Sequence, residues 1–191
     1  MSRPPLYSLI AVTAAATLSV AACAPENAAT AGDTENLIEV IPAADPTLPD
    51  PAVQAIGPVC AAPNAALVAE MQQQINAERE RLGKSPVDFV ENLTFAAQAH
   101  ACDMATMGRP TVVGSNGSSV VHRVRAVEYT ACSSAQLIGR SGDAYAQSAA
   151  WMNQAPDEEI LIHQKFDDAG VGVVQQGGRF WWSVVMADNC S

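Results

Sequence analysis

Apolar positions follow three different regimes along this chain. Leu6 to Val20 is a continuous apolar run, residues 24–59 show no period, and from residue 64 the pattern turns helical and then alternating. Leu67, Met71, Ile75 and Leu82 share one helical face, with Glu78-Arg79-Glu80-Arg81 charged around it. That spacing predicts an amphipathic helix over 64–82, closed by Gly83. Leu93, Ala97, His100, Met104 and Met107 recur at helical intervals and predict a second helix over 91–107, ended by Gly108. Residues 109–119 form a loop with an Asn116-Gly117 turn signal, and Ser118 or Ser119 caps a third helix that turns Val120, Val121, Val124 and Val127 inward. A strand over 131–140 and an alanine-rich helix over 144–154 follow. Pro156 with Asp157-Glu158-Glu159 marks a further helix N-terminus. Residues 169–175 and 179–186 flank Gln176-Gly177-Gly178 as a hairpin. Phe180, Trp182, Val184 and Met186 alternate with Trp181, Ser183 and Val185, so both sheet faces are apolar and both are covered. The prediction is an α+β fold: a three-layer α-β-α sandwich with a central antiparallel sheet, over residues 60–191.

The N-terminal run changes the picture of where the domain works. Arg3 gives a positive start, and the fifteen residues Leu6–Val20 fall short of the roughly 20 that span a bilayer. The run ends in Val20-Ala21-Ala22-Cys23, which resembles a bacterial lipobox. Residues 1–22 are therefore expected to be a lipoprotein signal peptide and Cys23 an acylated anchor; the plainer alternative is cleavage after a small-x-small site with Cys23 incidental. The expected location is the bacterial cell envelope, facing the periplasm. Ala24, where an aspartate often retains lipoproteins at the inner membrane, favours the outer membrane. Residues 24–59 hold six Pro and six acids with no Lys or Arg, a composition that opposes compact structure and suits a spacer with a coil reach of roughly 30–36 Å. Leu37-Ile38-Glu39-Val40-Ile41 is its one apolar patch, either plain linker or a short strand that docks.

Charge and cysteines narrow the chemistry. Residues 60–191 carry nine Lys/Arg against fourteen Asp/Glu, a formal charge of −5, and no basic patch with interleaved aromatics, which excludes nucleic acid as the expected partner. Apart from Cys23, the four cysteines Cys60, Cys102, Cys132 and Cys190 suggest two disulfides with three possible connectivities. The preferred pairing joins the domain ends through Cys60–Cys190, with Cys102–Cys132 inside. No Cys/His spacing matches a zinc ribbon or finger. His100 lies on an apolar stripe as a core histidine, His122 beside Arg123 and Arg125 on a polar face, and His163 at a helix end. Gly139-Arg140-Ser141-Gly142 is not a nucleophile elbow, so nucleophilic and general acid–base catalysis have few candidates.

Five stretches in order resemble the CAP superfamily of cysteine-rich secretory, antigen 5 and pathogenesis-related proteins, also called SCP-like domains. They are INAERERLGKSPV, LTFAAQAHACDMATMG with His100, Asp103 and Met104, the stretch holding Arg123, Ala126 and Tyr129, AWMNQAP, and FDDAGVGVV before WWSVVM. The resemblance covers about residues 64–187 and implies the same α-β-α sandwich. It also implies a cleft in which relatives keep two His and one or two Glu able to bind a divalent metal. The equivalent positions here are Val112, Gln136 and Asp157. Val has no donor and Gln is a poor zinc ligand, so no metal, no cofactor and no catalytic residue is expected. The favoured function is a binding or interaction role toward an apolar ligand, a lipid or an envelope protein, in the cleft near those three residues. The alternative is a hydrolase or peptidase in which Asp157 converges with His163 or His122.

Overall fold

Asn64 starts the first helix by accepting from the backbone N–H groups of Ala66 (2.9 Å) and Leu67 (3.4 Å), which satisfies donors that a helix N-terminus leaves without a partner. The helix, α1, runs Ala65–Arg81. The computed structural model describes residues 39–40, as backbone, and residues 60–190. The expected signal segment, Cys23 and the spacer lie outside the described residues, apart from Glu39 and Val40. Those two form β1 (Glu39–Val40), paired antiparallel with the edge of a later strand, so the spacer's apolar patch contributes a short strand.

The remaining elements fall close to the predicted positions. A two-residue β2 (Asp88–Phe89) precedes α2 (Glu91–Met107), which ends on Gly108 at φ 71°, a left-handed backbone that favours glycine. In α3 (Val120–Ala126), Ser119 is the N-cap and its N–H donates to His122 Nδ1 at 3.0 Å, so His122 closes a helix cap rather than standing free. Then come β3 (Ala131–Ser141), α4 (Ala144–Met152), α5 (Ala155–Leu161), β4 (Asp168–Gln176) and β5 (Arg179–Asn189). The sheet order is β1-β3-β5-β4-β2. Every pairing is antiparallel except that of β2, which lies parallel to β4 and was not visible in the sequence. Its position is set from the side: Asn76 donates to the Val87 carbonyl (3.1 Å) and accepts from the Val87 N–H (2.9 Å), acting as a strand partner in miniature.

The two sheet faces carry separate cores. Met71 and Ile75 of α1, Trp151 of α4 and Ile160 and Leu161 of α5 pack on Ala135, Leu137, Val171, Val173, Trp182, Val184 and Met186. On the other face, α2 and α3 bring Leu93, Ala97, Val120, Val121 and Val124 against Val185 and Ala187, while Met104 and Ala105 meet Ile138 and Trp181. The alternation along β5 thus feeds both layers, as the sequence pattern requires. α2 lies unusually close to β4. A Cβ placed on Gly170 would sit 2.0 Å from the Leu93 carbonyl carbon, and one on Gly172 would sit 2.3 Å from the Ala97 carbonyl carbon and the Gln98 nitrogen.

Two expectations need correction. The disulfides are Cys60–Cys102 and Cys132–Cys190, with Cα–Cα distances of 5.9 and 5.4 Å, and not Cys60–Cys190 with Cys102–Cys132. The reason is register. Cys132 enters β3 beside the end of antiparallel β5, where Ala131 pairs with Asn189, so Cys190 arrives there by strand pairing. Loop length alone does not carry that information. Second, Arg79 is not part of a solvated charged face. It is 1 % exposed and binds only carbonyls: Nε donates to Ser85 O (2.8 Å), Nη1 to Leu161 O (2.8 Å) and His163 O (3.2 Å), and Nη2 to Phe166 O (3.0 Å).

Candidate functional site

The centre of the region singled out by sequence is a buried guanidinium. Arg123 belongs to α3 and is 1 % exposed. Its Nη1 donates to Ser118 O (2.9 Å) and Ser118 Oγ (3.1 Å), and its Nη2 donates to Val112 O (2.7 Å) and to Gln136 Oε1. The other end of the Gln136 amide, Nε2, donates to Ser183 Oγ at 2.7 Å. Strand β3 aims Gln136, and β5 aims Ser183, toward the α2–α3 layer, because both stand on the face that carries Ile138 and Trp181. Two of the three expected residues therefore meet on one nitrogen atom: Val112 through its carbonyl and Gln136 through its side chain. Val112 itself packs beside Met104, Ile138 and Trp181. The third, Asp157, is 7 % exposed in the first turn of α5, next to Pro156 as predicted.

Sequence reasoning missed Arg123 and Ser183. The signal for Arg123 was present: it falls three residues after Val120 and one before Val124, on the apolar side of α3. Arg79 is likewise in phase with the apolar face of its helix, four residues after Ile75 and eight after Met71. In both helices a buried arginine replaces the apolar residue that the period asks for.

The donor set does not fit a divalent cation. Val112 offers no side-chain donor, and the only Gln136 oxygen is occupied by a full positive charge that would repel a metal. Among the described residues no group of three or more His, Cys, Asp and Glu side chains is placed to hold a metal ion. The imidazoles have other tasks. His122 caps α3. His163 Nδ1 accepts from Lys165 N (3.4 Å), and its ring lies 4.8 Å from that of Phe166.

His100 is fully buried, and its Nε2 donates to Thr111 O at 2.7 Å. That bond fixes the tautomer, leaving Nδ1 as a buried acceptor with no hydrogen-bond partner. Burial first, and then the nearby Arg123 charge, lower its pKa from 6.5 to about 3. The sign follows from linkage. Between pH 6.5 and 3 the unfolded chain binds a proton that folded His100 refuses, so stability falls as pH drops through that window and is fully present above it. Denaturation midpoints measured from pH 7 to 3.5 should fall less steeply in His100→Gln than in wild type. Parallel curves would remove this group from the acid response.

A separate groove of about 600 Å³ lies along the outward side of α2, bounded by Cys60, Ala62 and Pro63 on one side and by Ala126 and Val127 on the other. Phe95, 47 % exposed, stands in it. It shares none of Val112, Gln136 or Asp157.

Comparison with known proteins fits this architecture. The family model described as "CAP: Cysteine-rich secretory protein family" matches residues 72–186. Similar solved structures include an extracellular protein containing an SCP domain from Bacillus anthracis (18 % identity, TM-score 0.58, 63 % of this chain and 41 % of that one). Others are an outer surface protein of Borrelia burgdorferi (15 %, 0.60, 66 % and 95 %) and a cysteine-rich secretory protein from Staphylococcus aureus (17 %, 0.55, 66 % and 39 %). The chain spans well under half the length of the Bacillus and Staphylococcus proteins. No curated protein matches the sequence. At these identities the structural likeness speaks for the fold.

Proposed function

We propose, from the premise that this chain belongs to the cysteine-rich secretory protein family, that it is an extracytoplasmic binding module whose family cleft is filled by its own side chains. The observation that carries this reading is the Gln136 amide, bonded at its oxygen by Arg123 and at its nitrogen by Ser183. A carboxylate at that position would bring a negative charge and a second oxygen with which to ligate a cation or accept a proton. A buried amide with both ends satisfied does neither. In this reading the domain holds an apolar partner by surface complementarity, and Asp157 forms part of the cleft wall. Protein equilibrated with zinc and then desalted should retain no stoichiometric metal. One equivalent of zinc, lost on Asp157→Asn, would overturn the proposal.

The proposal includes the organisation expected from sequence: a signal over 1–22, an acylated Cys23, a spacer to residue 59 and the domain over 60–191, in a bacterial envelope with the outer membrane preferred. The lipobox-like Val20-Ala21-Ala22-Cys23 supports it. Among the described residues no helix is long and apolar enough to cross a membrane. In cell fractionation, Cys23→Ser should move the protein from the membrane to the soluble fraction. Retention in the membrane fraction would mean that something other than Cys23 holds it.

A further inference from the structure

The groove on the outward side of α2 is built, not incidental. Its floor is the outer face of that helix, and side chains of the same helix hold both walls. On one side, Cys102 is bonded to Cys60 and Gln98 Nε2 donates to Ala61 O at 3.1 Å. On the other, Asn92 Nδ2 donates to the Val127 carbonyl at 2.9 Å, just past the end of α3. Two walls stapled to one rigid helix cannot drift apart or collapse without breaking those bonds, so the opening is preformed. Its volume of about 600 Å³ falls within the range of small-molecule sites, roughly 300–1,000 Å³.

The lining gives the chemistry of the occupant. Pro63, Phe95, Ala99, Ala126 and Val127 supply apolar surface, and Phe95 leaves nearly half of its area in water. A side chain of that size is stabilised when a ligand covers it. The only ionisable side chain in the lining that carries charge is Glu91, at the first turn of α2. It already answers the positive end of the helix dipole there, so an incoming anion would meet a carboxylate and find no lysine or arginine in the wall. The net charge of −5 over residues 60–191 acts in the same direction.

We propose that this groove binds a small amphiphile with an apolar chain or ring and a cationic end, the apolar part against Phe95 and the cation toward Glu91. The proposal rests on the reading of the domain as a binding module and adds a ligand class and a site apart from the family cleft.

The test uses the whole chain carrying Cys23→Ser, titrated calorimetrically with decyltrimethylammonium, decyl maltoside and decanoate, each below its micelle-forming concentration. Saturable one-to-one binding is expected, tightest for the ammonium and weakest for decanoate. Phe95→Ala should weaken the binding of ammonium and maltoside alike by about tenfold, the loss expected when half of a phenyl ring is no longer covered. Glu91→Gln should erase the preference for the ammonium over the maltoside and leave maltoside binding unchanged. Decanoate binding tighter than the ammonium, indifference to Phe95→Ala, or no binding by any of the three would each overturn the proposal. None of those results alters the metal content that tests the filled cleft, so the two readings fail separately.

Discussion

Arg79→Met should cost about 3–5 kcal/mol of folding stability, measured by chemical denaturation, and is expected to be among the most damaging single changes outside the cysteines. The side chain is almost completely buried and touches no carboxylate. Its guanidinium instead collects four carbonyls, from Ser85 after α1 and from Leu161, His163 and Phe166 around the end of α5. Burial lowers its pKa from the ordinary value, so desolvation opposes the charge, while the four carbonyl hydrogen bonds stabilise it. Methionine matches the length and apolar bulk but leaves those carbonyls without their donor, and two of the lost bonds, to Leu161 O and Phe166 O, are buried. Lysine should recover little, because one ammonium cannot reproduce a planar fork spanning separate loops. Arg81→Met is the control. That side chain is 59 % exposed and pairs with Glu78 at 2.8 Å, so its loss should stay within about 0.5 kcal/mol. An Arg79→Met variant within 1 kcal/mol of wild type would refute this account of how α1 is tied to the segment after α5.

Gly172→Ala should destabilise by about 3 kcal/mol or prevent folding, although it adds a single methyl group. The new carbon would lie 2.3 Å from the Ala97 carbonyl carbon and from the Gln98 nitrogen. Both obstacles are helix backbone, so no rotamer change relieves them. α2 and β4 would have to separate, loosening Leu93, Ala97 and Met104 from the sheet. Val173 N–H would also be drawn from Gln98 Oε1, its partner at 2.8 Å. Gly142→Ala, where nothing lies within 4 Å of the added carbon, should be neutral or slightly stabilising. Comparable melting temperatures for the two variants would show that α2 and β4 are not held by this close approach.

These predictions mark where sequence reasoning reached and where it stopped. Helix and strand positions were legible because the chain keeps period with its surroundings: Leu67, Met71 and Ile75 on one side of α1, and two interleaved apolar sets along β5. The Gly177-Gly178 hairpin was equally plain, and both residues have φ near +65°, at +63° and +71°. What could not be read were features set by tertiary register. The disulfide partners followed from β3 lying beside β5. The two-residue β2 followed from Asn76 holding Val87. Arg79 and Arg123 looked like surface charge because arginine usually is, and only their phase within the helix marked them as interior. The position of Gln136 in the cleft came from family resemblance; its two partners came only from the folded chain.

The short pairing of Glu39–Val40 with Ser133–Ser134 carries a mechanical consequence. If Cys23 is the membrane anchor proposed above, the leash that matters ends at residue 39 rather than at Cys60. Sixteen peptide units at about 3.3–3.6 Å each cannot exceed about 58 Å, whereas the thirty-seven to Cys60 would allow about 133 Å. Two residues of edge pairing therefore cut the greatest separation that covalent geometry allows between Cys23 and the domain by more than half, and releasing them would restore it without breaking a covalent bond.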